Sequence, residues 1–267
     1  MTENTQKDPL YYSGNTPVFA SDFSRELKSI GVIPGDILLV HSDISVFGRL
    51  ASYNRDFLFS ALIDILKNVV TPEGIILMPT FSYSFCEDKV FELDTTKSKV
   101  GALTEYFRTC PEVVRTMHPI FSFAIWGKNK ESYLSISKDS FDQDSVFGKI
   151  HKNRGKILFL GAPFQSCTFI HYIEQIHGVP YRYIKKFPGV IKSTNSEYMD
   201  EYFYFVRDLD LEKNELDLSR LEKYLVQKKV IRSTCIGNGR VLLIDSEQLY
   251  SETWDLLNND IEFLLKK

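Results

Sequence analysis

The residues with the clearest capacity for chemistry are Cys167, His171 and Glu174, which are four and three positions apart. On an α-helix, these spacings place side chains on one face, one above the other. A histidine beside a carboxylate is the pair used in general base catalysis, because the carboxylate orients the imidazole and stabilises its charged form. A thiol beside a histidine is the pair that forms an acyl-enzyme. An ordinary solvent-facing histidine on a surface helix fits the same spacing.

The segment that positions these residues is predicted to run strand, turn, helix. The apolar run 157–160 predicts a buried strand, and the Gly-Ala-Pro sequence 161–163 ends it. Ser166 or Thr168 supplies the N-cap of a helix that Gly178 terminates. In an open α/β sheet, ligand sites lie at the carboxyl ends of strands beside the N-termini of such helices.

The predicted helix is amphipathic. Its apolar stripe consists of Phe169, Ile170, Ile173 and Ile176. We expect Cys167, His171 and Glu174 to face away from this stripe, so that the imidazole points to solvent or into a cleft. Free backbone N–H groups in the first turn would stabilise an oxyanion there.

The same order of elements occurs three times, with apolar strands at 37–40, 75–78 and 157–160. This alternation predicts a layered α/β/α fold around a central, mainly parallel mixed sheet. Aromatic and β-branched residues then predict an antiparallel pair over 181–191 and 198–206, followed by an acidic segment. We expect a flexible N-terminal arm over 1–15 and a single α/β domain over 16–267, in which 181–217 is an embedded antiparallel and acidic subregion.

Composition excludes several classes of function. A net charge of −3 without a basic run is not that of a general nucleic-acid binder, and no apolar run is long enough to span a membrane. The four cysteines are scattered, which predicts free thiols in a reducing, cytoplasmic compartment. No metal-ligand spacing, P-loop or dinucleotide fingerprint is present, so we expect no metal site.

A series of motifs, in order, resembles the aminoglycoside 3-N-acetyltransferase family. They are GDILLVHSDISVFG at 35–48, GIILMPTFSY at 74–83, RTMHPIFS at 115–122, SVFGK at 145–149, GKILFLG at 155–161, SCTFIHYIE at 166–174 and VPYR at 179–182. The resemblance extends from about Phe19 to Arg182 and is weaker from Gly237 to the end. It implies the family's antibiotic N-acetyltransferase-like fold.

The resemblance also implies a reaction, in which an acetyl or related acyl group passes from acyl-CoA to an amino group of an amino sugar. His171 matches the family's catalytic histidine. In the family, the acidic partner of this histidine lies in a variable segment after the antiparallel strands, where this chain offers Asp208 and Asp210, with Glu215 as a further candidate; Glu174, on the helix itself, stays open as an alternative. That segment is short here, and the pocket is not evidently as acidic as one that binds a polycationic aminoglycoside, which favours a nucleotide-linked amino sugar.

Site residues are predicted in three groups on this basis. The catalytic candidates are His171, Thr168, Glu174 and Asp208. The candidates for binding acyl-CoA are His41, Ser42, Thr80, Ser82, Ser122 and Phe147. The candidates for binding the acceptor are Tyr83, His118 and Asp210.

Two other hypotheses remain. Cys167 could act as a nucleophile in an acyl-enzyme transferase or hydrolase, or the chain could be a non-catalytic module that binds CoA or a sugar. The intact His-x-x-Glu pattern at 171–174 argues against the second. The expected partners are acyl-CoA and a small amino sugar, and the sequence leaves homo-oligomerisation open.

Overall fold

The computed structural model describes residues 8–193, 196–211 and 214–267. Within them the helices are α1 (Ala20–Ser29), α2 (Arg55–Val70), α3 (Ala102–Arg108), α4 (Val146–Lys152), α5 (Phe169–His177), α6 (Ser219–Gln227) and α7 (Ser246–Asn259). The strands are β1 (Tyr11–Ser13), β2 (Thr16–Val18), β3 (Ile37–Ser42), β4 (Arg49–Leu50), β5 (Ile75–Pro79), β6 (Phe91–Glu92), β7 (Val114–Arg115), β8 (Phe123–Gly127), β9 (Lys156–Leu160), β10 (Arg182–Ser193), β11 (Ser196–Arg207), β12 (Arg232–Ile236) and β13 (Gly239–Asp245).

The central sheet has the strand order β12-β13-β9-β3-β5-β8-β7. Strand β3 pairs in parallel with β5 and β9, and the outer strands pair antiparallel. The expected α/β fold with a central mixed sheet is confirmed, with parallel pairing confined to the three middle strands. Because these strands end at one edge of the sheet, the segments that follow them converge there.

The sheet separates two apolar layers, because successive side chains of a strand point to opposite faces. In β9, Ile157 and Phe159 face one layer, whereas Leu158 and Leu160 face the other. Helices α4 to α7 complete the first layer, and α1 to α3 complete the second. The catalytic candidates on α5 therefore lie on the α4–α7 side of the sheet.

A long hairpin stands on that same side. Its strands β10 and β11 pair antiparallel over their whole length, as predicted, and β10 also pairs in parallel with β6. One face of the hairpin packs on the body of the protein: the ring of Tyr202 lies 5.8 Å from that of Phe85, and the ring of Tyr204 lies 4.8 Å from that of Phe121. We call this the inner face of the hairpin.

The N-terminal region differs from the expected flexible arm. Leu10 and Tyr11 are buried, and β1 pairs with both β2 and β4. Residues 8–15 are therefore part of the fold, because the aromatic ring of Tyr11 packs between Phe23 and Phe47. Residues 1–7 lie outside the described part of the chain.

Two features of the C-terminal region also differ from the expectation. The sequence of this region predicts one last strand over 239–244 and a terminal helix over 247–267. The structure has the additional strand β12, and α7 ends at Asn259. The last residues instead turn back, and Leu265 forms a bridge with Leu216. No helix among the described residues combines the length and apolar character that crossing a bilayer requires.

Candidate active site

A cleft of about 310 Å³ opens where the three middle strands end. The residue that ends β3, Ser42, lines it together with the neighbouring His41. Tyr83 enters from the segment after β5, and Ala162 and Thr168 enter from the segment between β9 and α5. The carboxyl-edge site expected from the order of elements is therefore present as a cavity.

A second cleft, of about 370 Å³, adjoins the first. The two share Asp43, Ala162 and Pro163 as lining residues. Its remaining wall comes from Phe164 and Leu242, among others. A slender, mostly apolar molecule could therefore run from one cleft into the other past the loop that follows β9.

Helix α5 begins where the sequence predicted and carries His171 one turn beyond Thr168. Gly178 terminates the helix in the left-handed conformation, with a φ of 80°. Cys167 and Glu174 are buried, with exposed fractions of 2% and 0%, so facing away from the apolar stripe does not expose them. Arg182, at the start of the hairpin, covers Glu174, which a rule based on one apolar stripe does not anticipate.

A buried carboxylate organises the site. Glu174 Oε2 lies 2.7 Å from His171 Nδ1 and 2.8 Å from Arg182 Nε. Burial would raise the pKa of the Glu174 carboxyl, but the hydrogen bond with His171 and the charge of Arg182 outweigh it and keep that pKa below its ordinary value. The His171 side chain keeps an exposed fraction of 17%, so a ligand can reach it.

The expected oxyanion donors are only partly available. The first-turn N–H groups of Ile170 and His171 donate to the carbonyls of Cys167 and Thr168. The Thr168 hydroxyl lies 3.4 Å from the Ser166 carbonyl, a weak contact at the long limit of hydrogen bonding, and Thr168 lines the cleft. The hydroxyl of Thr168 is therefore a better candidate donor than these two amides.

Three hydroxyls assigned to acyl-CoA binding are used inside the protein. Thr80 and Ser122 are buried and lie 3.0 Å apart, Oγ1 to Oγ. Ser122 also accepts from Arg115 Nε at 3.1 Å, and Ser82 donates to the Pro119 carbonyl at 2.9 Å. None of the three hydroxyls lines the cleft. Thr80 and Ser82 follow β5 and Ser122 directly precedes β8, but the sequence could not show that their hydrogen bonds are satisfied internally.

His118 and Phe147 are also buried, in contrast to their predicted roles. His118 Nδ1 accepts from the backbone N–H groups of Ile120 and Phe121, and burial lowers the pKa of His118 to about 3. This neutral imidazole holds the loop before β8 in shape. Phe147 is fully buried, with its ring 5.2 Å from that of Phe123. Neither side chain is placed to touch a ligand.

His41, Ser42 and Tyr83 keep the positions that their predicted roles need. The ring of His41 stacks on Phe159 at 5.3 Å, and burial lowers the pKa of His41 to about 4, so the imidazole is neutral. Burial raises the pKa of Tyr83 to about 12, so its hydroxyl keeps its proton. All three residues line the first cleft.

The acidic alternatives, Asp208 and Asp210, occupy a turn after the hairpin. Asp208 Oδ1 accepts from the backbone N–H of Asp210 at 3.1 Å, and Asp210 is exposed. The carboxylate that bonds His171 is instead that of Glu174. Arg182 was given no role in the sequence analysis. Its role follows from the burial of Glu174, because a buried carboxylate needs a cation. This burial is visible only in the structure.

The described residues contain no group of three His, Cys, Asp or Glu side chains that could hold a metal ion. What they do contain is a helix-borne histidine–glutamate pair one turn beyond Thr168, which lines the first cleft at the carboxyl edge of a mixed sheet. His171 itself is not among the lining residues of either cleft. This combination is that of an α/β enzyme with a candidate acid–base pair close to its cleft.

The comparisons with known proteins name the family. The family model described as aminoglycoside 3-N-acetyltransferase matches residues 39–258, and the chain belongs to this family. It is thus an acyltransferase whose co-substrate is an acyl-CoA, acetyl-CoA in the named activity.

Two curated relatives illustrate the range of similarity. The SPbeta prophage-derived aminoglycoside N(3')-acetyltransferase-like protein YokD of Bacillus subtilis (strain 168) is 31% identical over 192 residues, which cover 63% of this chain and 68% of the relative. Aminoglycoside N(3)-acetyltransferase IV of Salmonella sp is 26% identical over 239 residues, which cover 88% and 85%.

Among solved structures, aminoglycoside acetyltransferase AAC(3)-Xa superimposes with a TM-score of 0.81 at 20% identity, covering 94% of this chain and 95% of that one. At this identity the likeness supports the fold.

Proposed function

We propose that this protein transfers an acetyl or related acyl group from acyl-CoA directly to an amino group of an amino sugar, with His171 as the general base. The observation that carries the proposal is the buried Glu174 carboxylate, which bonds His171 Nδ1 at 2.7 Å. Curated relatives named aminoglycoside N(3)-acetyltransferases support the substrate class.

The contact with Glu174 assigns the imidazole protons. A carboxylate accepts hydrogen bonds, so Nδ1 carries a hydrogen and Nε2 keeps its lone pair for the amine. As the amine nitrogen bonds to the thioester carbon, its proton passes to Nε2, and the imidazolium is stabilised by Glu174. The C–S bond then breaks, and the CoA sulfur leaves and takes up a proton.

Arg182 helps to keep the fully buried Glu174 ionised. A buried carboxylate without a partner would take up a proton, and a protonated acid would stabilise an imidazolium poorly. The hydrogen bond with His171 and the Arg182 guanidinium, 2.8 Å away, together favour the ionised carboxylate. We assign Arg182 as a positioning residue, since it acts on the reaction through Glu174.

The two clefts fit acyl-CoA as a substrate. The pantetheine arm is a slender chain, and the shared wall of Asp43, Ala162 and Pro163 offers a continuous path toward Thr168. His41 and Ser42 line this path as hydrogen-bonding groups for the amides of the arm. The Thr168 hydroxyl would donate to the carbonyl oxygen as charge develops on it.

The acyl-enzyme alternative is disfavoured by the position of Cys167. Its sulfur is buried, and burial raises the pKa of the thiol to about 12, so the nucleophilic thiolate does not form near neutral pH. The first-turn backbone N–H groups that would lower this pKa do not compensate for burial. Direct attack needs no such nucleophile.

Replacing His171 tests the proposal. His171→Ala is expected to lower kcat for CoA-thiol release with an amino-sugar acceptor by about a hundredfold or more, because the general base is lost. Binding of acetyl-CoA, measured by calorimetry, should stay within a few-fold of the wild-type value. Cys167→Ala serves as the control on the same helix and should keep kcat within a few-fold.

Two results would contradict the proposal. A near-normal rate in His171→Ala would show that His171 is not the general base. Loss of thiol release in Cys167→Ala, with the fold intact, would support the acyl-enzyme mechanism instead. Circular dichroism of both variants separates these results from unfolding.

A further inference from the structure

Aromatic side chains surround the reaction site on the hairpin side. The ring of Phe141 lies 5.5 Å from that of His171 and 5.9 Å from that of Tyr204 on β11. Phe121 lies 4.8 Å from Tyr204 and 5.6 Å from Tyr83, which lines the first cleft. The region between the catalytic histidine and the hairpin is therefore apolar, with Tyr204 on its far side.

Lys185 is a charged side chain that lies beside this apolar region. It pairs across the hairpin with Tyr204, and cross-strand partners lie on the same face of a sheet. Tyr204 belongs to the inner face, so Lys185 does as well. The Lys185 ammonium lies 5.2 Å above the ring of Phe187, which itself contacts Tyr204 at 6.3 Å.

The charge of Lys185 also reaches the segment that carries Tyr83. Burial and the neighbouring Glu87 raise the pKa of the Cys86 thiol, and Lys185 counteracts this increase. Cys86 donates its backbone N–H to the carbonyl of Tyr83 at 3.0 Å. The geometric link between Lys185 and the reaction site is its cross-strand partner Tyr204, whose ring neighbours Phe121 and Phe141.

The positive charge of Lys185 is not compensated by an ion pair with any described residue, whereas the nearby carboxylates have partners. Glu87 pairs with Lys89 and Lys99, and Glu174 pairs with Arg182. The next residue, Lys186, points to the opposite face and pairs with Glu201 at 3.0 Å. Lys185 itself is exposed, so an acceptor that reaches this side of the protein meets one uncompensated positive charge beside the partly exposed rings of Phe187, Tyr204 and Tyr83.

We propose, on the basis of the function proposed above, that Lys185 makes the acceptor site selective for an amino sugar that carries a phosphate group. Uncompensated ammonium and phosphate attract each other, whereas a polycationic acceptor is repelled by the same charge. The aromatic rings accommodate the apolar face of a sugar or a base. A sugar phosphate and a nucleotide-linked sugar share this chemistry.

The test compares two neutralised lysines that differ only in the face they occupy. Lys185→Gln and Lys186→Gln remove the same charge from adjacent positions. For each variant and the wild type, kcat/KM is measured with glucosamine, glucosamine 6-phosphate, uridine diphosphate glucosamine and gentamicin as acceptors. Calorimetric binding of the two phosphorylated amines provides a readout that does not depend on turnover.

We expect Lys185→Gln to lower kcat/KM and affinity for a phosphorylated amine by roughly five- to tenfold, relative to glucosamine, and to raise kcat/KM for gentamicin. Lys186→Gln should change these ratios less than about twofold. The effect of Lys185→Gln should diminish as salt is added. The phosphorylated amine that shows the larger effect identifies the source of the phosphate.

Equal ratios in the two variants, or a wild type that gains nothing in affinity or kcat/KM from either phosphate, would overturn the inference while leaving the proposed function intact. Absence of thiol release with all four amines and a wider amine panel would overturn both. These two failures are distinguishable, because only the first leaves a working transferase.

Discussion

Glu174 illustrates what a sequence can and cannot show about one residue. The spacing of three positions predicted its contact with His171, because side chains at that spacing meet on a helix. The same helical pattern placed Glu174 on the face opposite the apolar stripe but could not show that this face is buried, since only one apolar stripe is visible in the sequence. Burial of the carboxylate depends on the hairpin, which contributes Arg182 from outside the helix. Such partners, distant in the fold, are not encoded in local spacing.

Replacing Glu174 by glutamine tests its role. Glu174→Gln keeps the shape and one acceptor oxygen but removes the negative charge, so kcat should fall by about a hundredfold with little change in the KM for acyl-CoA. The pH–rate profile should shift as well, because the imidazolium loses its counter-ion. Steady-state kinetics between pH 6 and 9 measure both effects.

The chain offers a matched control in a second histidine–carboxylate pair. His151 Nε2 lies 3.1 Å from Glu247 Oε2, at the surface between α4 and α7. Glu247→Gln makes the same chemical change there and should leave kcat and the pH profile unaltered. If both glutamine variants were equally active, Glu174 would have no catalytic role. Unfolding of Glu174→Gln by the unpaired Arg182 is checked with the double variant Glu174→Gln/Arg182→Met.

At the scale of elements, the sequence predicted the strands that alternate with helices and the hairpin, because their periodicity and composition are strong. It missed β12 and overextended α7, whose sequence continues without a clear stop. The connection between β9 and α5 forms the wall that the two clefts share, through Ala162 and Pro163. Gly161 has a φ of 78° there, and a Cβ would lie 2.2 Å from the carbonyl oxygen of Asp43. Only glycine allows the loop to pass this close.

Substitution of Gly161 should therefore affect the clefts. Gly161→Ala is expected to displace the loop that carries Ala162 and Pro163, raise the KM for acyl-CoA about tenfold and lower stability by about 1–3 kcal/mol. Gly178→Ala is the control: it has nearly the same φ, 80°, but nothing within 4 Å of a Cβ. It should cost about 1 kcal/mol and leave the KM unchanged.

Steady-state kinetics measure the KM for acyl-CoA of the two alanine variants, and urea unfolding measures their stability. An unchanged KM in Gly161→Ala would show that the loop does not form the path of acyl-CoA. A raised KM in both variants would show that backbone strain, rather than contact with Asp43, is responsible.

For the molecule as a whole, the two apolar layers were predictable, but the polar groups inside them were not. Thr80 follows β5, Ser122 directly precedes β8 and His118 precedes a proline, yet each of them forms its hydrogen bonds within the fold. A sequence shows that a polar residue lies near a strand end. It does not show whether another buried group has already satisfied it.

The two neutral buried histidines predict a loss of stability in acid. Burial lowers the pKa of His41 to about 4 and that of His118 to about 3, whereas an unfolded histidine titrates near about 6.5. Below this value the unfolded chain binds more protons, so the free energy of unfolding falls as the pH decreases. At pH 5 each histidine should cost about 2 kcal/mol relative to pH 7.5.

Urea unfolding at pH 7.5, 6 and 5 measures this dependence. His118→Asn should be less stable at pH 7.5, since it loses the shape of the imidazole, but its stability should depend less on pH. Glu174 acts in the same direction only at lower pH, as its carboxyl takes up protons below its ordinary pKa. A wild-type stability that is flat from pH 7.5 to pH 5 would show that neither imidazole is buried in the neutral form.

Arg182 begins β10, so the guanidinium beside Glu174 belongs to the hairpin whose Tyr204 lies across Phe141 from His171. Any movement of the hairpin away from α5 that admitted water would also move the Arg182 guanidinium away from Glu174. In the proposed mechanism, the thioester would then be exposed to water only when His171 is a weaker base. For this reason we expect slow hydrolysis of acyl-CoA in the absence of an acceptor. The position of Arg182 on the hairpin would produce this effect without a separate gate.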